Sequence, residues 1–109
     1  MGTNSTNRKS GPVRTLVTYR AKSGKEAPLL AMVKSHWPTL RKLGLATATP
    51  PKIWRARYKD GGIAFMELFE WKDEHSSDVA HQTPEVMAVW EPMGAVLDRL
   101  EVAQVEVLD

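Results

Sequence analysis

Four side chains in this 109-residue sequence stand out as candidates to move a proton: His36, His75, His81 and Glu67. Histidine titrates near neutral pH and is the natural proton acceptor. His75 sits among Glu74, Ser76, Ser77 and Asp78 and reads as solvent-exposed. His81 falls near a helix end, where it faces either the sheet or solvent. His36 is next to Trp37, and one of the two must turn toward the interior. Trp37 continues the apolar stripe of its helix, so His36 is expected at the margin of that stripe. Glu67 is the sharper anomaly. It interrupts a row of Ile63, Phe65, Phe69 and Trp71. A carboxylate buried there without a partner is costly, and such groups often mark sites. Its bland alternatives are an ion pair with an Arg or Lys of a neighbouring strand, or a bulge that turns it outward. Glu67 with His36 or His81 makes an acid–base pair if their side chains meet. The aromatics Trp37, Trp54, Tyr58, Phe69, Trp71 and Trp90 are the candidate walls of a pocket around them, although most tryptophans fill cores.

Elements must hold these groups in place. Residues 13–20 (VRTLVTYR) read as a first strand. Ser23 and Glu26 have capping-box spacing, but Pro28 pushes the regular helix toward itself. Leu29, Val33, Trp37 and Leu40 recur at helical spacing. Pro38 is expected to kink that helix, and Gly44 to stop it. Residues 53–59 and 63–72 are two strands joined by Asp60-Gly61-Gly62, a hairpin signal. Asp73 suits the cap of the next helix, which carries Val79 and Ala80. Thr83-Pro84-Glu85 opens a further helix through Val86, Val89 and Trp90. Pro92 is expected to break it before a last helical piece ending near Leu100. Residues 101–108 (EVAQVEVL) alternate and close the chain as a strand.

The order β-α-β-β-α-β predicts an α+β, ferredoxin-like fold: a four-stranded antiparallel sheet with helices on one face. The first and third strands fall in the centre. Residues 1–12, polar and without an apolar core, read as a disordered arm, and 13–109 as the one domain. The odd face of the third strand, with the larger aromatics, is assigned to the helices. Its even face, Ala64, Met66, Leu68 and Glu70, is also largely apolar. Thr18, Arg20, Arg55, Arg57, Gln104 and Glu106 are expected beside it. A sheet of this size leaves roughly 400 Å² uncovered. A second copy is the simplest cover, giving a homodimer through the sheet. A two- or four-residue hairpin loop puts Trp54 and Tyr58 with the odd face, and a three-residue loop reverses this.

Composition excludes several classes. There is no cysteine, hence no disulfide framework or thiolate metal site, which suits a reducing cytoplasm. The net charge of +2 is spread along the chain. The basic run Arg55, Arg57, Lys59 is too narrow for nucleic acid. No apolar stretch approaches a membrane span. No phosphate loop, metal-ligand spacing or serine-nucleophile motif stands out.

The run Glu67-Leu68-Phe69-Glu70-Trp71-Lys72-Asp73, followed by Ala80-His81-Gln82-Thr83-Pro84-Glu85-Val86, resembles the antibiotic biosynthesis monooxygenase group of the dimeric α+β barrel superfamily. Ser23-Gly24-Lys25-Glu26 after the opening strand is similar too. The likeness spans residues 13–108. It implies a dimeric α+β barrel, with a pocket for a small apolar ligand between sheet and helices. The activity it implies is cofactor-free monooxygenation of an aromatic or polyketide-like compound. There His81 would take a proton from a phenol or enol, with no cofactor and no metal. Two alternatives accompany it: a non-enzymatic binding or stress-related dimer, and haem binding or degradation. In the haem-degrading branch a second histidine follows the proline, and here Glu85 holds that place.

Overall fold

The computed structural model describes residues 11–109. Most of the expected 1–12 arm lies outside them. Seven elements follow one another: β1 (Val13–Ala21), α1 (Glu26–Lys42), β2 (Lys52–Arg57), β3 (Ile63–Trp71), α2 (Ser76–Ala80), α3 (Pro84–Met93) and β4 (Leu97–Gln104). The four strands form one antiparallel sheet in the order β2-β3-β1-β4. This is the ferredoxin-like arrangement, with β1 and β3 central.

The first helix begins at Glu26, ahead of Pro28, with Lys25 as N-cap and no side-chain cap. The Ser23–Glu26 capping box does not form. Pro28 is tolerated because the first-turn N–H groups have no intrahelical partner; the first backbone bond comes from Leu29 N to Lys25 O, at 3.1 Å. The helix also runs through Pro38 to Lys42. It ends in a Schellman motif. Gly44, at φ +75°, sits in the left-handed region. Gly44 N donates to Arg41 O, and Leu45 N reaches back to Leu40 O. Leu40 and Leu45 are both buried, as the accompanying apolar contact requires.

The core forms between the odd face of the sheet and the helices. Leu29, Val33 and Leu40 of α1 and Val86 and Met93 of α3 pack against Val17, Tyr19, Phe65, Phe69 and Trp71. The other sheet face carries Leu16, Thr18, Met66 and Leu68, all partly exposed.

Three expectations are corrected at this level. The β2–β3 pairing runs Ile53↔Glu67, Trp54↔Met66, Arg55↔Phe65. It continues to a Tyr58 N bond with Gly62 O, so Lys59–Gly61 form a three-residue loop, with Gly61 at φ +88°. Odd pairs with odd, so Trp54 and Tyr58 lie on the face away from the helices. Arg55 and Arg57 move to the helix side, where Arg55 lies over the Phe65 ring. Second, Pro92 lies inside α3, and the helix ends one residue later at Met93. Residues 94–96 then make a turn, and β4 begins at Leu97, four residues earlier than expected. Third, the Thr15↔Gln104 and Val17↔Val102 pairs place Gln104 on the helix side.

Candidate functional site

The site starts from a question of helix phase. At about 100° per residue, His36 lies roughly 20° from Leu29 around the helix, and Trp37 roughly 80°. His36 therefore belongs to the stripe of Leu29, Val33 and Leu40. It is 3 % exposed. Trp37 takes the margin instead, and its indole N–H donates to Thr47 O, 3.2 Å away. This reverses the expected order of the two residues.

Strand alternation brings the second group. Glu67 faces the helices from the middle of β3, fully buried. Its pairing partner on β1 is Val17, and Tyr19 lies two residues along on the same face. Glu67 Oε1 accepts the Tyr19 hydroxyl proton at 2.6 Å and stands 2.8 Å from His36 Nδ1. Tyr19 Oη is 3.3 Å from the same nitrogen. The register is unbroken at Glu67. Neither the arginine partner nor the outward bulge is present, and the partners are a tyrosine and a histidine. Burial holds the Tyr19 phenol far above its ordinary pKa of 10.0, with the Glu67 charge and hydrogen bond adding to the effect. Tyr19 is thus a neutral donor throughout the working range.

A carboxylate accepting from both groups fixes the imidazole. In the neutral ring Nδ1–H then points at Glu67, and Nε2 is left as a bare acceptor. Two buried polar atoms of this cluster have no hydrogen-bond partner: His36 Nε2 and Glu67 Oε2. Native interiors rarely leave such atoms unsatisfied, which sets this cluster apart from the rest of the core.

A cavity of about 230 Å³ adjoins the cluster. From β1 it is lined by Thr15, Val17 and Tyr19, and from β3 by Phe69 and Trp71. The helices contribute His36, Trp90 and Met93, with Ser77 and His81 at one side. Leu97, Leu100 and Val102 of β4 complete it. Leu100 and Val102 are 51 % and 64 % exposed, because the helices stop short of this edge strand. The His36 ring packs edge-on to Phe69 and tilts against Trp90.

His81 lines the same cavity, but it is exposed and its Nδ1 lies 2.7 Å from Ser77 O. Its ring meets Trp90 edge-on at 4.7 Å. Glu67 makes its bonds to His36 and Tyr19, not to His81. Of the expected pocket aromatics, Phe69, Trp71 and Trp90 face the cavity. Trp37, Trp54 and Tyr58 do not. Trp54 is 48 % exposed on the other sheet face, and Tyr58 lies under the Arg20 guanidinium. His75 is exposed at the start of α2, and Glu85 in the first turn of α3. Tyr19 is absent from the candidates that sequence alone suggests. A signal for it exists, since alternation from Val17 puts it on the inward face.

The fold and site together define a ferredoxin-like α+β domain holding a carboxylate–imidazole dyad against an apolar cavity. No family profile and no curated protein matches the chain. Solved structures do. A Caulobacter crescentus protein, provisionally named an antibiotic biosynthesis monooxygenase, superimposes with a TM-score of 0.72 at 11% identity, covering 97% of this chain and 99% of its own. SnoaB, a cofactor-independent oxygenase from Streptomyces nogalater seen as a point mutant, gives 0.69 at 12% identity over 90% and 94%. A dimeric protein of unknown function and ferredoxin-like fold from Bacteroides fragilis gives 0.67 at 10% identity over 89% and 97%. The chain shares the ferredoxin-like fold of these proteins, a provisionally named antibiotic biosynthesis monooxygenase and a cofactor-independent oxygenase among them.

Proposed function

We propose that the chain is a cofactor-independent monooxygenase of a small, enolisable hydroxyarene, with His36 as the base. One observation carries this reading: His36, a residue of the cavity wall, has Nδ1 held by buried Glu67 while its Nε2 has no partner. A carboxylate behind an imidazole sets the tautomer and stabilises the imidazolium that forms when the ring takes a proton. A cavity of about 150 Å³ accommodates benzene, so this one has room for one or two rings. The likeness in fold to a cofactor-independent oxygenase supports the reaction class.

In this reading Nε2 removes a proton from the bound enol or phenol. The electron-rich carbanion form then passes electrons to dioxygen. A ring CH2 becomes C=O, one oxygen atom stays on carbon, and the other leaves as water. Both electron pairs come from the substrate, so no reductant is needed. Two copies pack through the sheet face bearing Met66 and Leu68. The Bacteroides fragilis relative, described as dimeric, supports this assembly. A cytoplasmic location goes with this reading and is consistent with the lack of cysteine. Among the described residues, no helix is long and apolar enough to cross a membrane.

Oxygen uptake with anthrones and hydroquinones tests the proposal. His36→Gln is expected to lower kcat at least roughly 100-fold, the usual contribution of a general base. An active wild type whose rate survives His36→Gln would refute the assignment.

A further inference from the structure

Proton transfer by His36 leaves His81 without a task, although both line the cavity. The two histidines share one feature. His36 Nδ1 faces a carboxylate, and His81 Nδ1 faces the Ser77 carbonyl at 2.7 Å. A carbonyl can only accept, so His81 Nδ1 carries the proton and, in the neutral ring, its Nε2 is a second bare acceptor. His36 is buried and His81 is exposed. Trp90 lies between them, 5.9 Å from the His36 ring and 4.7 Å from that of His81.

The cavity wall limits what that molecule is. Among the described residues, no Lys or Arg lines it. The adjoining groove, which shares Thr15, Trp71, Ser77 and Val102 with the cavity, carries Asp73, Glu74 and Glu106. A carboxylated ligand would pass acidic groups and then meet no fixed cation. Nor do the two imidazoles complete a metal site, since no group of three His, Cys, Asp or Glu stands together among the described residues.

We propose that His81 is a specificity-determining residue. It accepts a hydrogen bond from a second hydroxyl, so that the cavity selects uncharged arenes hydroxylated at both ends. This rests on the reading of the cavity as a hydroxyarene site, but it concerns binding and not turnover.

Calorimetry under anaerobic conditions tests it with 2,6-dihydroxynaphthalene, 2-naphthol and 6-hydroxy-2-naphthoate as probes. The full chain is expected to bind the diol roughly three- to tenfold more tightly than the mono-ol, the range of one net hydrogen bond. The carboxylate is expected to bind weakest. His81→Phe keeps an aromatic ring beside Trp90 and should erase the diol preference while holding 2-naphthol within about twofold. His81→Gln, which restores an acceptor, should recover part of the preference. A diol preference that survives His81→Phe, or a wild type that does not discriminate, overturns the proposal. Selective binding that depends on His81, without oxygen uptake, would defeat the oxygenase reading alone. Oxygen uptake without such selectivity would defeat this one alone.

Discussion

Glu67 shows how a single residue's cost becomes chemistry. Buried in an apolar row, it is tolerable because Tyr19 and His36 reach the same oxygen. Replacing it by Gln nearly preserves shape and keeps an acceptor oxygen for Tyr19 and His36, but removes the negative charge. The imidazolium that forms when His36 takes a proton then loses its counter-charge. Glu67→Gln is expected to lower kcat on the order of 1000-fold with KM nearly unchanged, read by steady-state oxygen uptake. Tyr19→Phe removes one donor from a buried carboxylate and should cost about 1–3 kcal/mol in urea unfolding. Tyr19 also predicts a pH dependence. Its folded pKa lies above the unfolded value, so its contribution is complete below about pH 10. Above that pH the unfolded phenol ionises while the folded one stays protonated, and stability falls. In Tyr19→Phe the alkaline loss should be shallower, measured as unfolding free energy from about pH 9 upward. At this scale the anomaly of Glu67 is legible in the sequence. Of its partners, His36 is one of two histidines the sequence offers, 31 residues away, whereas Tyr19, 48 residues away, is not singled out.

Among the elements, α1 decides most. Its stripe delivers His36 to the sheet, and its C-terminal turn fixes where the following loop leaves. Gly44 has φ +75° with open space where a Cβ would stand, so Gly44→Ala meets only backbone strain. It is expected to cost about 1 kcal/mol in thermal or urea unfolding. The hairpin decides the aromatics. Glycines at 61 and 62 announce a turn, but two or three loop residues are equally compatible with them. That one-residue difference carries Trp54 and Tyr58 to the far face of the sheet. Pro38 predicts a break in the long helix, yet the helix continues. Proline removes one N–H and one bond, and packing of Leu40 and its neighbours in the core holds the last turn together.

At the level of the whole molecule, one sheet face is covered and the other is not. Met66 and Leu68 stand on the open face, with Trp54 beside them. If two copies join there, Leu68→Glu should give a folded monomer with half the sedimenting mass of wild type. Circular dichroism checks that the fold is kept. By itself the sequence determined the order of elements, the central place of β1 and β3, and the inward face of β3, because periodicity and turn chemistry act over a few residues. Tertiary structure alone decided that His36 and not His81 meets Glu67, that Tyr19 joins them, and which aromatics see the cavity. Those outcomes turn on helix phase and strand register, where one position of shift moves a side chain from the interior to solvent.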